Sequence, residues 1–331
     1  MAAHRILITG STGFVGARVT ARLTASDHTP RPQLRLLAHR SRPEPPGTDQ
    51  IEVHHGSLSD PESLHGLCEG VTTVLHLASH ISGDPRQCRA VNDTGTAALL
   101  AEAERCGVRR VIQLGTTAVY RDGRHLNAME GALPLGPSSP TSVTRLAGEQ
   151  RVLKAGGLVL RPHLIHGRGD VWVVPALARF MTTLPHWVDG GRALISLISA
   201  DDLAHVVATL ALRPHLPQGE VLHVARPRPV SGRELFTTAA RALRLPLPTG
   251  EVTHAQASTW PGGHTDAGWQ RRLSLLTVDH WYDTSRLWRL LGTPAPHTGF
   301  TEEFAAGASW YRSHLAAQYP GARARPAPAG A

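Results

Sequence analysis

The stretch Arg5-Ile-Leu-Ile-Thr-Gly10-Ser-Thr-Gly13-Phe-Val-Gly16 decides the fold. Its apolar part has the length of a β-strand and leads into glycines spaced G-x-x-G-x-x-G, after which a helical pattern begins. Gly10 permits a tight turn, Gly13 lets backbone N–H groups approach a pyrophosphate, and Gly16 lets the helix pack closely on the strand. The stretch therefore predicts a dinucleotide-binding site at a helix N-terminus. The alternative is an ordinary strand–turn–helix with incidental glycines.

Length and cysteine content narrow the class of protein. With 331 residues the chain has room for one large α/β domain, or for a main domain with a smaller lobe. Cys68, Cys88 and Cys106 lack metal-binding spacing, which predicts reduced thiols, a cytoplasmic protein and no metal site. The first strand leaves no room for a signal peptide, and no apolar stretch approaches the ~20 residues of a membrane span.

The chain is strongly basic, with a formal net charge of +8 and a sequence pI near 10.3. Such a charge is compatible with nucleic-acid binding, but the basic residues are scattered and no nucleic-acid motif accompanies them. Lys154 is the only lysine, so the basic residues are almost all arginine. We therefore expect a small-molecule substrate and no nucleic-acid or membrane partner.

The end of the second predicted strand, Gln33 to His39, bears on the choice of cofactor. It runs into Arg40-Ser-Arg42, and no Asp or Glu lies between Gln33 and Arg42. An acidic residue there would accept the ribose 2′-hydroxyl of NAD, whereas arginine suits a 2′-phosphate. The sequence thus favours NADP over NAD, with Arg40 as the leading contact; the alternative is a solvated basic loop.

Apolar strand patterns alternate with helical patterns along the first half of the chain. The predicted strands lie at 6–8, 33–39, 51–56, 71–78, 108–114 and 157–162. This alternation predicts a doubly wound parallel sheet. We expect residues 1–162 to form mainly an NADP-binding Rossmann domain, and 163–320 to complete the sheet (about 193–224) and form the substrate lobe. The low-complexity end, 321–331, is expected to be disordered.

Several motifs together resemble one family. They are Thr9–Gly16, Val74–Ala78, Asn92–Thr96, Leu114–Tyr120, Leu146–Glu149, Leu160–Asp170, Ser196–Leu203 and Tyr282–Gly292. Over roughly residues 4 to 315 the chain is similar to the extended short-chain dehydrogenases/reductases, the NAD(P)-dependent epimerase/dehydratase and 3β-hydroxysteroid-dehydrogenase-like group. The resemblance implies a Rossmann-type sheet with a smaller C-terminal substrate lobe. It also implies hydride transfer on a small molecule, and a homodimer formed through the long helices near 87–106 and 140–155.

The resemblance also assigns cofactor contacts. The implied set is Gly10, Thr12, Gly13, Phe14, Val15, Arg40, Ser57, Leu58, Leu77, Ala78 and Arg145. Ser57 stands where the family usually has an aspartate that binds the adenine amino group. A serine hydroxyl keeps the capacity for a hydrogen bond but not the charge.

The catalytic motif departs from the family pattern. The family's Ser/Thr position falls on Thr116, but its Tyr-x-x-x-Lys pair falls on Thr141 and Arg145. A threonine hydroxyl is far too weak an acid to replace a phenol of pKa ~10. Arg145 keeps the positive charge and still suits the nicotinamide ribose, although a guanidinium is shaped differently from an ammonium.

The proton donor must therefore be sought elsewhere. The candidates are Tyr120, His80, His163 and His166, and a histidine has a suitable pKa at neutral pH. The alternative for each of these histidines is that it lies on the surface or packs in the core without a catalytic role. Further substrate contacts are expected from His80, Thr117 and Arg192. The tryptophans at 260, 269, 281 and 288 are expected either to line a substrate pocket or to fill the core.

Two functions remain open from the sequence. The first is an NADP(H)-dependent oxidoreductase that reduces a ketone on a small organic substrate in bacterial secondary metabolism, such as a keto-deoxysugar nucleotide or a polycyclic ketone. The second is a non-redox enzyme (cyclase, isomerase or lyase), or a catalytically degenerate binding protein, on the same fold.

Overall fold

The computed structural model describes residues 4–25, 31–39, 50–81, 83–263, 268–292 and 299–318. Arg40, the leading cofactor contact expected from the sequence, lies outside the described residues, as does the expected disordered tail 321–331.

The described strands fall into one large sheet and several small ones. They are β1 (Arg5–Thr9), β2 (Gln33–Ala38), β3 (Ile51–His55), β4 (Thr73–His76), β5 (Arg110–Leu114), β6 (His125–Ala128), β7 (Leu158–Pro162), β8 (Leu164–His166), β9 (His186–Val188), β10 (Leu194–Ile195), β11 (Leu197–Ser199), β12 (Glu220–Val224), β13 (Val230–Ser231), β14 (Gly250–Val252) and β15 (His280–Tyr282).

The helices flank the large sheet or build the lobe. They are α1 (Gly16–Thr24), α2 (Pro85–Arg89), α3 (Gly95–Arg105), α4 (Pro140–Lys154), α5 (Val173–Thr183), α6 (Ala200–Leu212), α7 (Gly232–Leu243), α8 (His254–Ser258), α9 (Trp269–Thr277), α10 (Ser285–Leu291) and α11 (Phe300–Gln318). A π-helical turn over Ala90–Thr94 joins α2 to α3, so the long helix expected at 87–106 is interrupted.

The large sheet confirms the predicted fold class. In the described residues it has seven parallel strands in the order β12-β7-β5-β4-β1-β2-β3. From β1 the chain proceeds outward to β2 and β3, and then returns to β4 on the other side. The carboxyl ends of β1 and β4 therefore flank the topological switch point, where ligands bind in doubly wound sheets.

Successive residues of β1 face opposite layers, as a buried parallel strand requires. Ile6 and Ile8 join the core between the sheet and helices α1 and α6. Leu7 joins the core on the other side, against α3 and α4. All three side chains are fully buried, so β1 is fixed between the two helix layers, and so is the turn that follows it.

The segment expected to complete the large sheet, about 193–224, differs from expectation over Leu194–Ser199. It divides into β10, which pairs with β13 and β15, and β11, which pairs with β8. Ser196 lies between them, where its backbone N–H donates to His280 O and its hydroxyl accepts from Tyr282 N. Only β12 of the later segment completes the large sheet. The division occurs because the chain crosses at Ser196 from one small sheet to another.

The lobe has an aromatic core of its own. Phe180 on α5 stacks on Trp269 of α9 with ring centroids 5.0 Å apart, and Phe304 stacks on Tyr311 within α11. Trp269 is 3% exposed and its indole N–H donates to Ala257 O. Of the two roles expected for the tryptophans, Trp269 therefore has the packing role.

Candidate functional site

The glycine turn after β1 is held by backbone contacts that leave no room for side chains. Gly10 has a φ of +73°, and a Cβ built on it would lie 2.7 Å from the backbone nitrogen of Ala78. Gly13 N donates to Gly10 O at 3.0 Å, and a Cβ on Gly16 would lie 2.0 Å from that same oxygen. The turn therefore requires glycine at 10 and 16, and it delivers the chain directly into the N-terminus of α1.

A cavity of about 470 Å³ opens over this turn, and we call it the glycine-loop cavity. Most of the cofactor contacts expected from the sequence line it, namely Gly10, Thr12, Gly13, Phe14, Val15, Leu77, Ala78 and Arg145. Ser57 and Leu58 are not in this lining; Leu58 is buried in the core, and the Ser57 hydroxyl bonds to that of Ser59 at 2.8 Å. The backbone turn and the cavity fit the pyrophosphate and nicotinamide halves of a dinucleotide.

A second cavity of about 510 Å³ lies between the sheet and the lobe, and we call it the lobe cavity. The two cavities share five lining residues: Ile81, Thr116, Arg145, Trp172 and Val173. Thr141 and Arg271 line the lobe cavity alone, and His163 lines the glycine-loop cavity alone. The cavities therefore adjoin at Thr116 and Arg145, two of the residues singled out from the sequence.

Arg145 is anchored to the end of β5. Its Nη2 donates to Leu114 O at 3.0 Å and to Gly115 O at 2.8 Å. Burial lowers the pKa of the guanidinium to about 10, so it stays charged at neutral pH. The other motif position, Thr141, has its hydroxyl 3.6 Å from the Cys88 sulfur. Among the described residues, neither lining contains a tyrosine.

Tyr120 lies apart from both cavities. It is 2% exposed, its ring stacks on Tyr282, and the Arg161 guanidinium lies 4.8 Å from its ring centroid. Its hydroxyl is 2.6 Å from His223 Nε2, and His223 Nδ1 faces the carbonyl of Asp283 at 3.3 Å. Since a carbonyl only accepts, His223 donates from Nδ1, and the Tyr120 hydroxyl donates to Nε2. Its proton is committed to this buried pair.

The other expected contacts are likewise outside both linings. His166 is 2% exposed, and its Nε2 lies 3.9 Å from Glu303 Oε2 on α11. The backbone N–H of His80 donates to the Asn92 side chain at 2.7 Å. Arg192 is exposed after a tight turn, and Thr117 is buried beneath the site.

His163 is the candidate proton donor that lines the same cavity as Thr116. Its ring stacks on His280 with centroids 5.0 Å apart, and its Nδ1 lies 2.8 Å from Thr117 Oγ1. Its Nε2 is buried, without a hydrogen-bond partner among the described residues. Burial, together with the charges of His280, His125 and Arg271, lowers its pKa well below 6.5. The neutral imidazole therefore predominates at neutral pH.

The hydrogen bonds behind His163 have one consistent polarity. His125 Nε2 lies 3.0 Å from Arg121 O and must donate to it, so Nδ1 accepts from the Tyr282 hydroxyl at 2.8 Å. The Tyr282 oxygen then accepts from Thr117, whose own oxygen accepts from His163 Nδ1–H. This series of hydrogen bonds fixes the proton of His163 on Nδ1. It leaves the buried Nε2 as a bare acceptor on a residue that lines the glycine-loop cavity.

No group of three or more His, Cys, Asp or Glu suited to a metal ion occurs in the described part of the chain. Among the described helices, none combines the length and apolar composition needed to cross a bilayer.

Trp172 and Arg271 line the lobe cavity. The sequence analysis missed both, because no local motif marks either of them.

The comparisons with known proteins agree with this geometry. Residues 6–225 match the model of the NAD dependent epimerase/dehydratase family. A 4-hydroxy-2-methyl-3-oxo-4-farnesyl-3,4-dihydroquinoline-1-oxide ketoreductase of Stigmatella aurantiaca is 29% identical over 243 residues, covering 70% of this chain and 71% of that protein. A 2-alkyl-3-oxoalkanoate reductase of Stenotrophomonas maltophilia is 29% identical over 250 residues, covering 70% and 73%.

The fold has close counterparts among solved structures. A short-chain dehydrogenase/reductase superfamily protein from Agrobacterium tumefaciens, solved with bound NAD, superposes with a TM-score of 0.72 at 23% identity. The match covers 96% of this chain and 100% of that one. The chain belongs to the NAD dependent epimerase/dehydratase family and is an oxidoreductase of the extended short-chain dehydrogenase/reductase type.

Proposed function

We propose that the chain is an NADP(H)-dependent ketoreductase, which interconverts a ketone and a secondary alcohol on a small, largely apolar molecule. The observation that carries this proposal is the junction of the two cavities at Thr116 and Arg145. A substrate in the lobe cavity would meet a dinucleotide in the glycine-loop cavity at this junction. This arrangement supports placing the reacting carbon there.

NADP(H), when bound, supplies the hydride that the carbonyl carbon accepts. The absence of an acidic residue along Gln33–His39, with His39 exposed at the strand end, supports NADP over NAD. We propose that Arg40 binds the 2′-phosphate. We also propose that Arg145 uses the guanidinium nitrogens other than Nη2 to hold the nicotinamide ribose, in the role that a lysine has in the family.

Thr116 and His163 perform the proton chemistry in this proposal. The Thr116 hydroxyl donates to the carbonyl oxygen and orients it. During reduction, protonated His163 gives the Nε2 proton to that oxygen as the C=O bond becomes CH–OH. In the reverse direction, the bare Nε2 accepts the hydroxyl proton. The hydrogen bonds of the unliganded protein support the neutral His163 with Nε2 as acceptor. Because reduction needs the protonated ring, its rate is expected to rise as the pH falls toward the pKa of His163. Alcohol oxidation needs the neutral ring, so its rate is expected to level off above that pKa.

The substrate class follows from the lobe cavity and from the relatives. Its wall is mainly apolar, with Leu164, Trp172 and Leu276 among its residues. The printed names of the Stigmatella and Stenotrophomonas relatives describe reductases of keto compounds that carry alkyl or farnesyl groups. Both observations support an apolar ketone, and we propose a role in bacterial secondary metabolism, in the cytoplasm.

Titration and steady-state kinetics with NADPH and NADH test the proposal. We expect tighter binding of NADPH than of NADH, and ketone-dependent NADPH oxidation. His163→Ala should lower this oxidation roughly 100-fold or more while the variant still binds NADPH. If the protein binds NADPH but does not oxidise it with any of the ketones tested, the alternative of a non-redox or binding role would be favoured. Equal activity of His163→Ala and the wild type would remove His163 from the mechanism.

We also propose a homodimer formed through α3 and α4, as the family resemblance implies. A surface groove of about 800 Å³ runs between these helices, with Leu100 and Ala101 in its wall. Leu100→Glu should convert a dimer to a monomer in light scattering. A wild-type monomer at micromolar concentration would contradict this assembly.

A further inference from the structure

The lobe cavity has a marked charge asymmetry. Three arginines line it, Arg145, Arg271 and Arg272, and no Asp or Glu is present among its described lining residues. The rest of the wall is mostly apolar or hydroxyl-bearing. A cavity of one sign of charge within an apolar wall concentrates ligands of the opposite sign.

The three arginines differ in what they contact. Arg145 donates to the carbonyls of Leu114 and Gly115. Arg272 also has an interaction partner. Arg271, on the first turn of α9, is exposed; it donates no hydrogen bond to the described residues and forms no ion pair with them. Within the described part of the chain, nothing competes with a ligand for its five N–H donors.

Arg271 also lines the same cavity as Thr116 and Arg145, where the chemistry is proposed. Its positive charge is among the groups that disfavour protonation of His163, so the guanidinium lies within electrostatic range of that imidazole. An anion held by Arg271 would therefore act on the charge state of His163.

We propose that Arg271 binds a carboxylate of the substrate, so that the lobe cavity selects apolar keto acids over neutral ketones. This inference rests on the proposed ketoreductase function, since it places the acid group beside the ketone. A carboxylate is favoured because it matches the planar guanidinium with two parallel hydrogen bonds. The apolar wall accommodates the remaining carbon chain.

The proposal has a consequence for the proton transfer. A carboxylate on Arg271 cancels the positive charge that disfavours the imidazolium form of His163, and adds a negative charge within range of the ring. Both effects raise the pKa of His163 when the acid substrate binds. Reduction needs the imidazolium form, so a bound keto acid promotes its own reduction, and its neutral ester does not.

Calorimetric titration with γ-oxodecanoate and its methyl ester tests the binding site without requiring turnover. We expect the wild type to bind the acid roughly 10-fold to 100-fold more tightly than the ester, as a charge-assisted bidentate pair allows. Arg271→Ala should abolish this preference, and Arg271→Lys should restore part of it. Arg241→Ala is the matched control, because Arg241 is an exposed lobe arginine in neither cavity lining and carries the same charge.

The outcomes separate the two proposals. Loss of acid preference in Arg271→Ala, with no NADPH oxidation by any variant, would keep the carboxylate site and reject the ketoreductase. Equal binding and equal reduction of acid and ester by the wild type would keep the ketoreductase and overturn the carboxylate site. An acid preference that survives in Arg271→Ala would also overturn it. Where turnover occurs, kcat for reduction should fall at a higher pH with the acid than with the ester. This difference should vanish in Arg271→Ala.

Discussion

Thr117→Val tests the hydrogen-bond chain behind His163. Thr117 is buried, and its hydroxyl accepts from His163 Nδ1 at 2.8 Å while donating to Tyr282. Valine has nearly the same shape but neither capacity. The substitution therefore removes both hydrogen bonds without opening a cavity, and it frees His163 to carry its proton on Nε2 instead.

The expected magnitude follows from the groups left unpaired. A buried imidazole N–H without an acceptor costs ~1–3 kcal/mol, so the free energy of unfolding should fall by about that amount. The change of tautomer converts Nε2 from an acceptor to a donor, and alcohol oxidation should slow by about 10-fold to 100-fold. Cofactor affinity should not change, because Thr117 lines neither cavity.

Urea denaturation, NADP titration and kcat as a function of pH measure these effects. Thr238→Val is the matched control, because Thr238 is a buried lobe threonine that bonds to Thr301 at 3.3 Å, apart from both cavities. It should lower stability without changing the pH profile. If Thr117→Val kept the wild-type rate and pH profile in both directions, the hydrogen bonds that link His125 to His163 would have no part in the reaction.

Three further predictions concern the scaffold. Gly16→Ala places a Cβ 2.0 Å from Gly10 O, so NADP binding should be lost in titrations even where the variant remains folded by circular dichroism. Glu149→Gln leaves the buried Arg161 guanidinium without its carboxylate partner, and chemical denaturation should show a loss of ~3–5 kcal/mol; a loss below ~1 kcal/mol would contradict this view of the pair. Burial lowers the pKa of His76 to about 4 in the fold, so the unfolded chain binds the extra proton first. Stability should therefore fall as the pH drops from about 6.5 toward 4, and His76→Gln should flatten that slope in urea midpoints measured across the range.

The fold was predictable because its signals are local. The glycine spacing and the largely apolar strands β1, β4, β5 and β7 mark a parallel sheet without reference to distant residues. The order of the sheet then follows from the right-handed crossovers of such folds. The start of the segment expected to complete the sheet, about 193–224, was different. Ser196 bonds there to β15, a strand that lies more than eighty residues later in the chain.

The candidate site was predictable only in part. The motif positions Thr116 and Arg145 adjoin both cavities, as sequence spacing suggested. Nothing local distinguishes His163 from Tyr120 or His166, because burial and hydrogen-bond partners decide which of them reaches a cavity. Arg271 is more than a hundred residues from Thr116 in the chain, and the packing of α9 against α5 brings it into the same cavity wall.

The most direct test of the proposed function is isotope transfer from NADPH deuterated at C4 of the nicotinamide. The protein is incubated with this cofactor and γ-oxodecanoate, and the product is analysed by mass spectrometry. We expect one deuterium per product molecule, bound to the new carbinol carbon, with a strongly reduced yield from His163→Ala. An unlabelled alcohol product, or the absence of any product when the cofactor is demonstrably bound, would contradict the ketoreductase proposal.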